Sequence, residues 1–280
     1  MSSAFEVRPI TPTIGGEVSG IDLSQDLSDK TIADLHAAFL DRQVLFFRDQ
    51  DITVDQHIAF GRHFGDLHVN LAAPPYKDGD AVYREVIPIY ADQDTPRAGG
   101  EVWHSDASCD PEPPSASIMM LHELPPSGGD TLFASMYAAY DALSEAMQGF
   151  LGALTAVHDG ANNYHYHQLS KGKGAGLDGE AFSRNSHPIV RTHPETDRKS
   201  LFVNPLFSTR IDGLSDAERD AILGFLFDHL AQPAFQCRFR WTPNAIAMWD
   251  NRCTLHHAIW DYYPRLRSGT RVTVQSDRPY

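Results

Sequence analysis

Apolar residues along the chain recur at two spacings, which separate the segments that predict helices from those that predict strands. After Ser28, the residues Ile32, Leu35, Ala38 and Phe39 follow a helical period. Thr53 with Gln56, and Ser215 with Glu218, have the spacing of a capping box, in which two side chains satisfy the first free backbone N–H groups of a helix. Beyond Ser215, the positions Ile222, Phe225, Leu226 and Leu230 predict one apolar stripe, and residues 136–154 predict a further helical region. Such helices have one apolar face and belong on the outside of a sheet.

Strand signals are shorter and more numerous, at 44–47, 116–121, 188–192, 201–204, 235–241, 245–249 and 271–274. In the fifth, Phe235, Cys237, Phe239 and Trp241 alternate with Gln236, Arg238 and Arg240, the two-residue period of a strand with one face in a core. Many short strands between Pro and Gly turns predict a mainly β fold with peripheral helices, a sandwich or barrel rather than alternating β-α units. No repeat is visible, and the length suits one domain over residues 1–280. Residues 160–186 are polar, glycine-rich and weakly periodic, which predicts a mobile lid loop. Their glycines lack the spacing of a phosphate-binding loop.

Charge narrows the function. The chain carries 37 Asp plus Glu against 23 Lys plus Arg, a formal net charge of −14. Nucleic-acid binding relies on clustered cations that displace counterions, and the basic stretches at 171–173 and 265–271 are too short for that. A small anionic substrate remains compatible, because a few local arginines set the field inside a pocket. No run of about 18 apolar residues occurs, and residues 1–10 lack the basic and apolar regions of a signal peptide. Cys109, Cys237 and Cys253 show no C-x-x-C spacing and suit neither a disulfide framework nor a zinc ribbon. Together these features predict a soluble cytoplasmic protein with no membrane partner and inert, buried thiols.

The chemistry concentrates in Val102-Trp-His-Ser-Asp106. On a strand, His104 and Asp106 would project to one face, where an imidazole nitrogen and a carboxylate oxygen reach one metal ion. A third ligand must come from elsewhere, and the segment 249–257 supplies His256 and His257. Two histidines and one carboxylate leave three coordination positions open, the arrangement of non-haem Fe(II) oxygenases. Arg267 offers a planar fork for a carboxylate, Arg271 lies four residues further on, and the Pro126-Ser-Gly-Gly-Asp-Thr131 turn delivers a hydroxyl into the following strand.

These pieces occur with Ile14-Gly-Gly-Glu-Val-Ser-Gly-Ile-Asp22, Gln43-Val-Leu-Phe-Phe-Arg-Asp-Gln50, His63-Phe-Gly-Asp-Leu-His68, Val190-Arg-Thr-His-Pro194 and Trp249-Asp-Asn-Arg252. In that order, and over nearly the whole chain, they resemble the taurine dioxygenase family (TauD/TfdA) of Fe(II)- and 2-oxoglutarate-dependent oxygenases. The resemblance implies a double-stranded β-helix, that is, a cupin-like jelly roll. It implies that His104, Asp106 and His256 bind Fe(II), with His256 preferred over His257. It further implies that Thr131 and Arg267 hold the distal carboxylate of 2-oxoglutarate, and that Arg271 lies beside this cosubstrate and meets an anionic substrate. The implied reaction consumes O2 and releases succinate and CO2, and the retained Asp106 points to hydroxylation rather than halogenation. Homo-oligomers are common in the family.

Two positions depart from the taurine-processing members. Asn70 stands where they have a second histidine and Gly100 where they have an asparagine, so taurine itself is not the expected substrate. Asn70, His68, Gly100 and Arg271 are the candidate substrate residues. The alternatives are desaturation, cyclisation or oxidative dealkylation of a larger metabolite at the same iron site, and, outside enzymes, a small-molecule binding module.

Overall fold

Residues Val44–Phe47 are apolar without interruption because their strand is buried on both faces. In the computed structural model, which describes residues 5–69, 75–95, 99–162 and 182–280, Val44 and Phe46 face one core while Leu45 and Phe47 face another. The strand belongs to a seven-stranded major sheet. Its spatial order is Glu6–Pro9, Gly16–Ser19, Val44–Phe47, Ala245–Asp250, Ala116–Glu123, Arg267–Val274 and Val86–Ala91. All neighbours are antiparallel except Gly16–Ser19 with Val44–Phe47.

The minor sheet has the order Gln236–Phe239, Thr131–Ser135, Thr254–Ala258. Phe133, Cys237 and Phe239 of this sheet pack against Val44, Phe46, Met119, Ala247 and Trp249 of the major one. Phe46 bridges the layers, stacked on Phe239 at 4.1 Å and edge-on to Phe133 at 5.6 Å. Two sheets closed over this core form a double-stranded β-helix.

On the outer face of the major sheet lie the helices Asp29–Arg42 and Val54–Arg62, which bury Leu35, Phe39, Ile58 and Phe60. Their caps form as the spacing predicts. Ser28 Oγ accepts the Thr31 N–H at 3.2 Å, and Thr53 and Gln56 exchange a reciprocal pair. Ser215 and Glu218 do the same for the helix Asp216–Leu230. There the buried stripe is Leu223, Leu226 and Leu230, while Phe225 is exposed. The stripe expected from Ile222 and Phe225 is therefore displaced by one position, because Leu223, three before Leu226 and seven before Leu230, closes the helical face.

Other expected boundaries also shift. Residues 136–154 form two short helices, Met136–Asp141 and Glu145–Leu151, because Ser144 caps a fresh start by accepting the Met147 N–H. The 188–192 signal splits into the ends of Arg184–Pro188 and Val190–Thr192, and the 201–204 signal corresponds to Lys199–Leu201. Val86–Ala91 escapes the apolar pattern because it carries Pro88, which this sheet tolerates at its edge. Of the expected lid at 160–186, residues 160–162 are helical and Arg184–Pro188 pairs with Thr155–Asp159, while 163–181 lie outside the described residues.

All three cysteines are free and buried, and burial pushes the Cys109 and Cys237 thiols up to about 12. Among the described residues no helix is long and apolar enough to cross a membrane.

His57 lies within the outer core, its Nε2–H donating to the Ile118 carbonyl at 3.1 Å and its Nδ1 accepting from the Thr270 hydroxyl at 3.2 Å. Burial pushes its pKa down to about 4. The unfolded chain therefore binds more protons between pH 4 and 6.5, so the stability contribution is complete above pH 6.5 and is lost as the pH falls through that window, on the order of 3 kcal/mol in all. The melting temperature is expected to drop between pH 6.5 and 4.5, and to drop less steeply in His57→Gln, which has no ionisable group. Parallel pH profiles for the two proteins would place the acid sensitivity elsewhere.

Candidate active site

Two backbone hydrogen bonds place the central residues. The His104 N–H donates to the His256 carbonyl at 3.1 Å, and the His256 N–H donates to the His104 carbonyl at 2.8 Å. His104 is thus an isolated antiparallel bridge partner of the strand Thr254–Ala258, and its ring lies 4.0 Å from that of His256. The expected strand under the His-x-Asp tripeptide is a single bridge residue followed by a turn, in which Ala107 takes a positive φ of 45°. That turn swings Asp106 back to the histidines. Asp106 Oδ1 lies 3.9 Å from His104 Nε2 and 3.9 Å from His256 Nε2. The three residues are buried, and one donor atom from each falls within 4.8 Å of the others.

His104 and Asp106 are oriented from behind, whereas His256 Nδ1 has no hydrogen-bond partner among the described residues. The His104 Nδ1–H donates to the Val102 carbonyl at 2.7 Å, which leaves the Nε2 lone pair facing Asp106 and His256. Burial pushes both imidazoles below the ordinary histidine value, so both are neutral, the form that ligates a metal. Burial alone would raise the Asp106 carboxyl. The positive Arg271 beside it, with His256, His104 and the Ser117 hydroxyl, reverses that and holds it well below the usual carboxylate range. Asp106 Oδ2 accepts from Ser117 Oγ at 2.7 Å, and Oδ1 accepts from Arg271 Nη1 at 2.8 Å. Asn251 completes the support: its Nδ2 donates to Ser117 Oγ at 2.9 Å, and its Oδ1 accepts both the Asp106 N–H and the Trp249 Nε1–H. Neither Ser117 nor Asn251 is legible as a site residue in the sequence, although Asn251 sits inside the Trp249-Asp-Asn-Arg252 motif.

A second group, His193, Asp250 and Cys253, also converges, but its donor atoms are already used. His193 Nε2 donates to Asp250 Oδ2 at 3.0 Å, and its Nδ1 accepts two backbone N–H groups. Arg252 grips both Asp250 oxygens at 2.8 Å. Burial raises the Cys253 thiol well above its ordinary value. This cluster is an internal brace. His257, the alternative ligand, turns away and packs edge-on to Trp103 at 5.5 Å.

The three donors open into a cavity of about 760 Å³. One part of its lining holds Thr131, Arg267 and Tyr262. Trp241 Nε1–H donates to Thr131 Oγ1 at 3.0 Å, so the threonine hydroxyl keeps its own hydrogen for a ligand. Arg267 is buried, and its Nε and Nη2 have no hydrogen-bond partner among the described residues. A buried guanidinium with two idle donors is a strong site for a carboxylate.

Another part of the lining is apolar, with Cys109, Phe182, Leu206 and Phe207, and carries His68 and Asp110, whose Nε2 and Oδ2 lie 3.9 Å apart. Arg271, which bonds Asp106, also lines the cavity, and its Nε has no hydrogen-bond partner among the described residues. Gly100 also lines the cavity. It adopts a φ of +89°, its carbonyl accepts the Ala258 N–H at 2.8 Å, and an added Cβ would approach His104 Cε1 to 3.3 Å. Asn70 lies outside the described residues.

Comparison with known proteins bears on this geometry. Residues 6–273 match the family model described as "Taurine catabolism dioxygenase TauD, TfdA family". A Schizosaccharomyces pombe protein named as an alpha-ketoglutarate-dependent sulfonate dioxygenase is 37% identical over 100% of this chain and 72% of its own length. The (S)-phenoxypropionate/alpha-ketoglutarate-dioxygenase of Sphingobium herbicidovorans is 36% identical over 93% of this chain and 92% of its own. Among solved structures, a Burkholderia xenovorans protein described as an alpha-ketoglutarate-dependent taurine dioxygenase superposes with a TM-score of 0.84 at 34% identity, covering 98% of this chain and 94% of that one.

The support behind Asp106 generates a prediction about metal binding alone. Ser117→Ala removes the Oδ2 donor, and the affinity for Mn(II) or Fe(II), measured by equilibrium titration, is expected to fall about 10- to 100-fold. An unaltered affinity would show that the Ser117–Asp106 bond does not prepare the site.

Proposed function

Because the chain belongs to the TauD/TfdA family of dioxygenases and is an oxidoreductase, we propose that it is an Fe(II)- and 2-oxoglutarate-dependent enzyme. Acting as one catalytic domain, it oxidises a small organic anion, a sulfonate or a carboxylate with an apolar body, most simply by hydroxylating an unactivated C–H bond. The observation that carries this reading is the convergence of His104 Nε2, Asp106 Oδ1 and His256 Nε2 in the same cavity as a buried arginine with two idle donors. Two neutral imidazoles and one carboxylate are a donor set that would suit a divalent iron.

His104, Asp106 and His256 would hold Fe(II), which would supply the activation of O2 coupled to oxidative decarboxylation of 2-oxoglutarate to succinate and CO2. Arg267 and Thr131 bind the distal carboxylate and so fix the cosubstrate's orientation. The fork of Arg267 suits two parallel charge-assisted bonds, while the Thr131 hydroxyl, accepting from Trp241, adds a third donor. Arg271 answers the acid group of the substrate with its remaining donors. Cys109, Phe182, Leu206 and Phe207 exclude water from the substrate's apolar body and direct one of its C–H bonds toward the iron. The two relatives named for sulfonate and phenoxypropionate chemistry support an anionic head with a variable apolar tail.

The test is to load the protein with Fe(II) and 2-oxoglutarate without oxygen, follow the metal-to-ligand charge-transfer band, and then admit oxygen with a panel of sulfonates, aryloxyalkanoates, amino acids and alkyl sulfates while succinate is quantified. A band and substrate-stimulated succinate are expected; a folded protein with neither is a binding module rather than this enzyme. Asp106→Ala is expected to lower iron affinity and succinate formation at least about 100-fold, and unchanged turnover would break the ligand assignment. Arg267→Ala is expected to raise the KM for 2-oxoglutarate about 10- to 100-fold while iron loading stays within error. Equal cosubstrate requirements in the two proteins would move that role to another residue.

A further inference from the structure

Tyr262 belongs to no motif that defines the iron or cosubstrate site, yet it lines the same cavity as Thr131 and Arg267 and is 5% exposed. Its ring is held from two sides. Trp260 packs edge-on at 4.6 Å, and Gly129 approaches so closely that an added Cβ would stand 3.3 Å from the ring and 3.4 Å from Arg267 Cδ. Gly129 is itself fixed, since its N–H donates to Asp261 Oδ1 at 2.7 Å and its φ is +74°. The turn that presents Thr131, the guanidinium of Arg267 and the ring of Tyr262 are therefore packed as one unit. Within it, the Tyr262 side chain lies beside that of Arg267.

A guanidinium has donors and no acceptor, so Tyr262 cannot donate to Arg267 and its O–H hydrogen stays available. In a buried cavity that hydrogen needs an acceptor. Thr131 is in the same position, its oxygen occupied by Trp241 and its hydrogen available. The two hydroxyls and the Nε and Nη2 of Arg267, which have no hydrogen-bond partner among the described residues, thus stand together as a set of donors beside the cavity. A carboxylate, with about four lone-pair sites on two oxygens, is the group that consumes such a set.

We propose that Tyr262 is a direct ligand of the distal carboxylate of 2-oxoglutarate, its hydroxyl donating to the same group that Arg267 and Thr131 hold. Its place beside Arg267 puts the phenol next to both cation and anion. It selects a five-carbon diacid by closing the far end of the cosubstrate pocket. This inference deepens the cosubstrate reading above and rests on it.

The experiment compares two acids that differ only at the far end: 2-oxoglutarate, and 2-oxovalerate, in which a methyl group replaces the distal carboxylate. Equilibrium dissociation constants are measured for the wild-type protein and Tyr262→Phe, by anaerobic titration of the Fe(II) charge-transfer band and by calorimetry with Mn(II). Phenylalanine keeps the ring packed against Trp260 and Gly129 and removes only the hydroxyl. Tyr262→Phe is expected to bind 2-oxoglutarate about ten-fold more weakly, and 2-oxovalerate within about two-fold of wild type. Equal weakening for both acids would make Tyr262 a packing residue, and undiminished 2-oxoglutarate binding would remove it from the site; either overturns the proposal. Failure of the wild-type protein to bind 2-oxoglutarate would instead overturn the cosubstrate reading, and this inference with it.

Discussion

The pair of backbone hydrogen bonds between His104 and His256 is the constraint on which the site depends. The two residues lie 152 positions apart in sequence, one in a loop and one in the minor sheet, and only this bridge brings their rings to 4.0 Å. Backbone pairing suits the task because it fixes Cα positions independently of the side chains, which remain free to aim their nitrogens at a common point. The strand Thr254–Ala258 is held in turn by pairing with Thr131–Ser135, so one sheet positions His256 and Thr131 together.

The carboxylate is held by other means. Asp106 lies in a turn with a positive-φ neighbour, and it keeps its place through Ser117, Asn251 and Arg271, which come from two strands of the major sheet and the segment following a third. Burying a carboxylate is costly without compensating donors and charge. Here three polar groups and two imidazoles surround it, and the Trp249 indole anchors Asn251 from the core between the sheets. The hydrophobic core and the polar site are thus joined through one residue, Asn251, which turns a packing arrangement into a ligand orientation.

Much of this was legible in the sequence where local rules apply. The capping pairs at Thr53–Gln56 and Ser215–Glu218 mark real helix starts, and the alternation of Phe235, Cys237, Phe239 and Trp241 marks a real buried face. His104, Asp106, His256, Thr131 and Arg267, which the family resemblance singles out, all line one cavity. What was not legible depends on long-range packing. The His-x-Asp tripeptide does not lie on a strand, because its partner is a single bridge residue far away. The stripe after Ser215 is displaced by one position, since Ile222, Leu223 and Phe225 are equally apolar and only the surrounding core selects Leu223. Ser117 and Asn251 have common side chains with no distinctive spacing, and they acquire a role only when the sheet register brings them behind Asp106. Gly100, a candidate substrate residue from its place before the Trp-His-x-Asp motif, also meets a backbone requirement beside His104 that no sequence spacing marks.

The central claim is that His104, Asp106 and His256 form the iron site while the His193, Asp250 and Cys253 cluster is an internal brace. Anomalous scattering from crystals grown with Mn(II) and 2-oxoglutarate tests it most directly. The account predicts one strong metal peak bonded to His104 Nε2, an Asp106 carboxylate oxygen and His256 Nε2, with the distal carboxylate of the cosubstrate against Arg267. A peak at His193 and Cys253, or a metal held by His257 in place of His256, would contradict it.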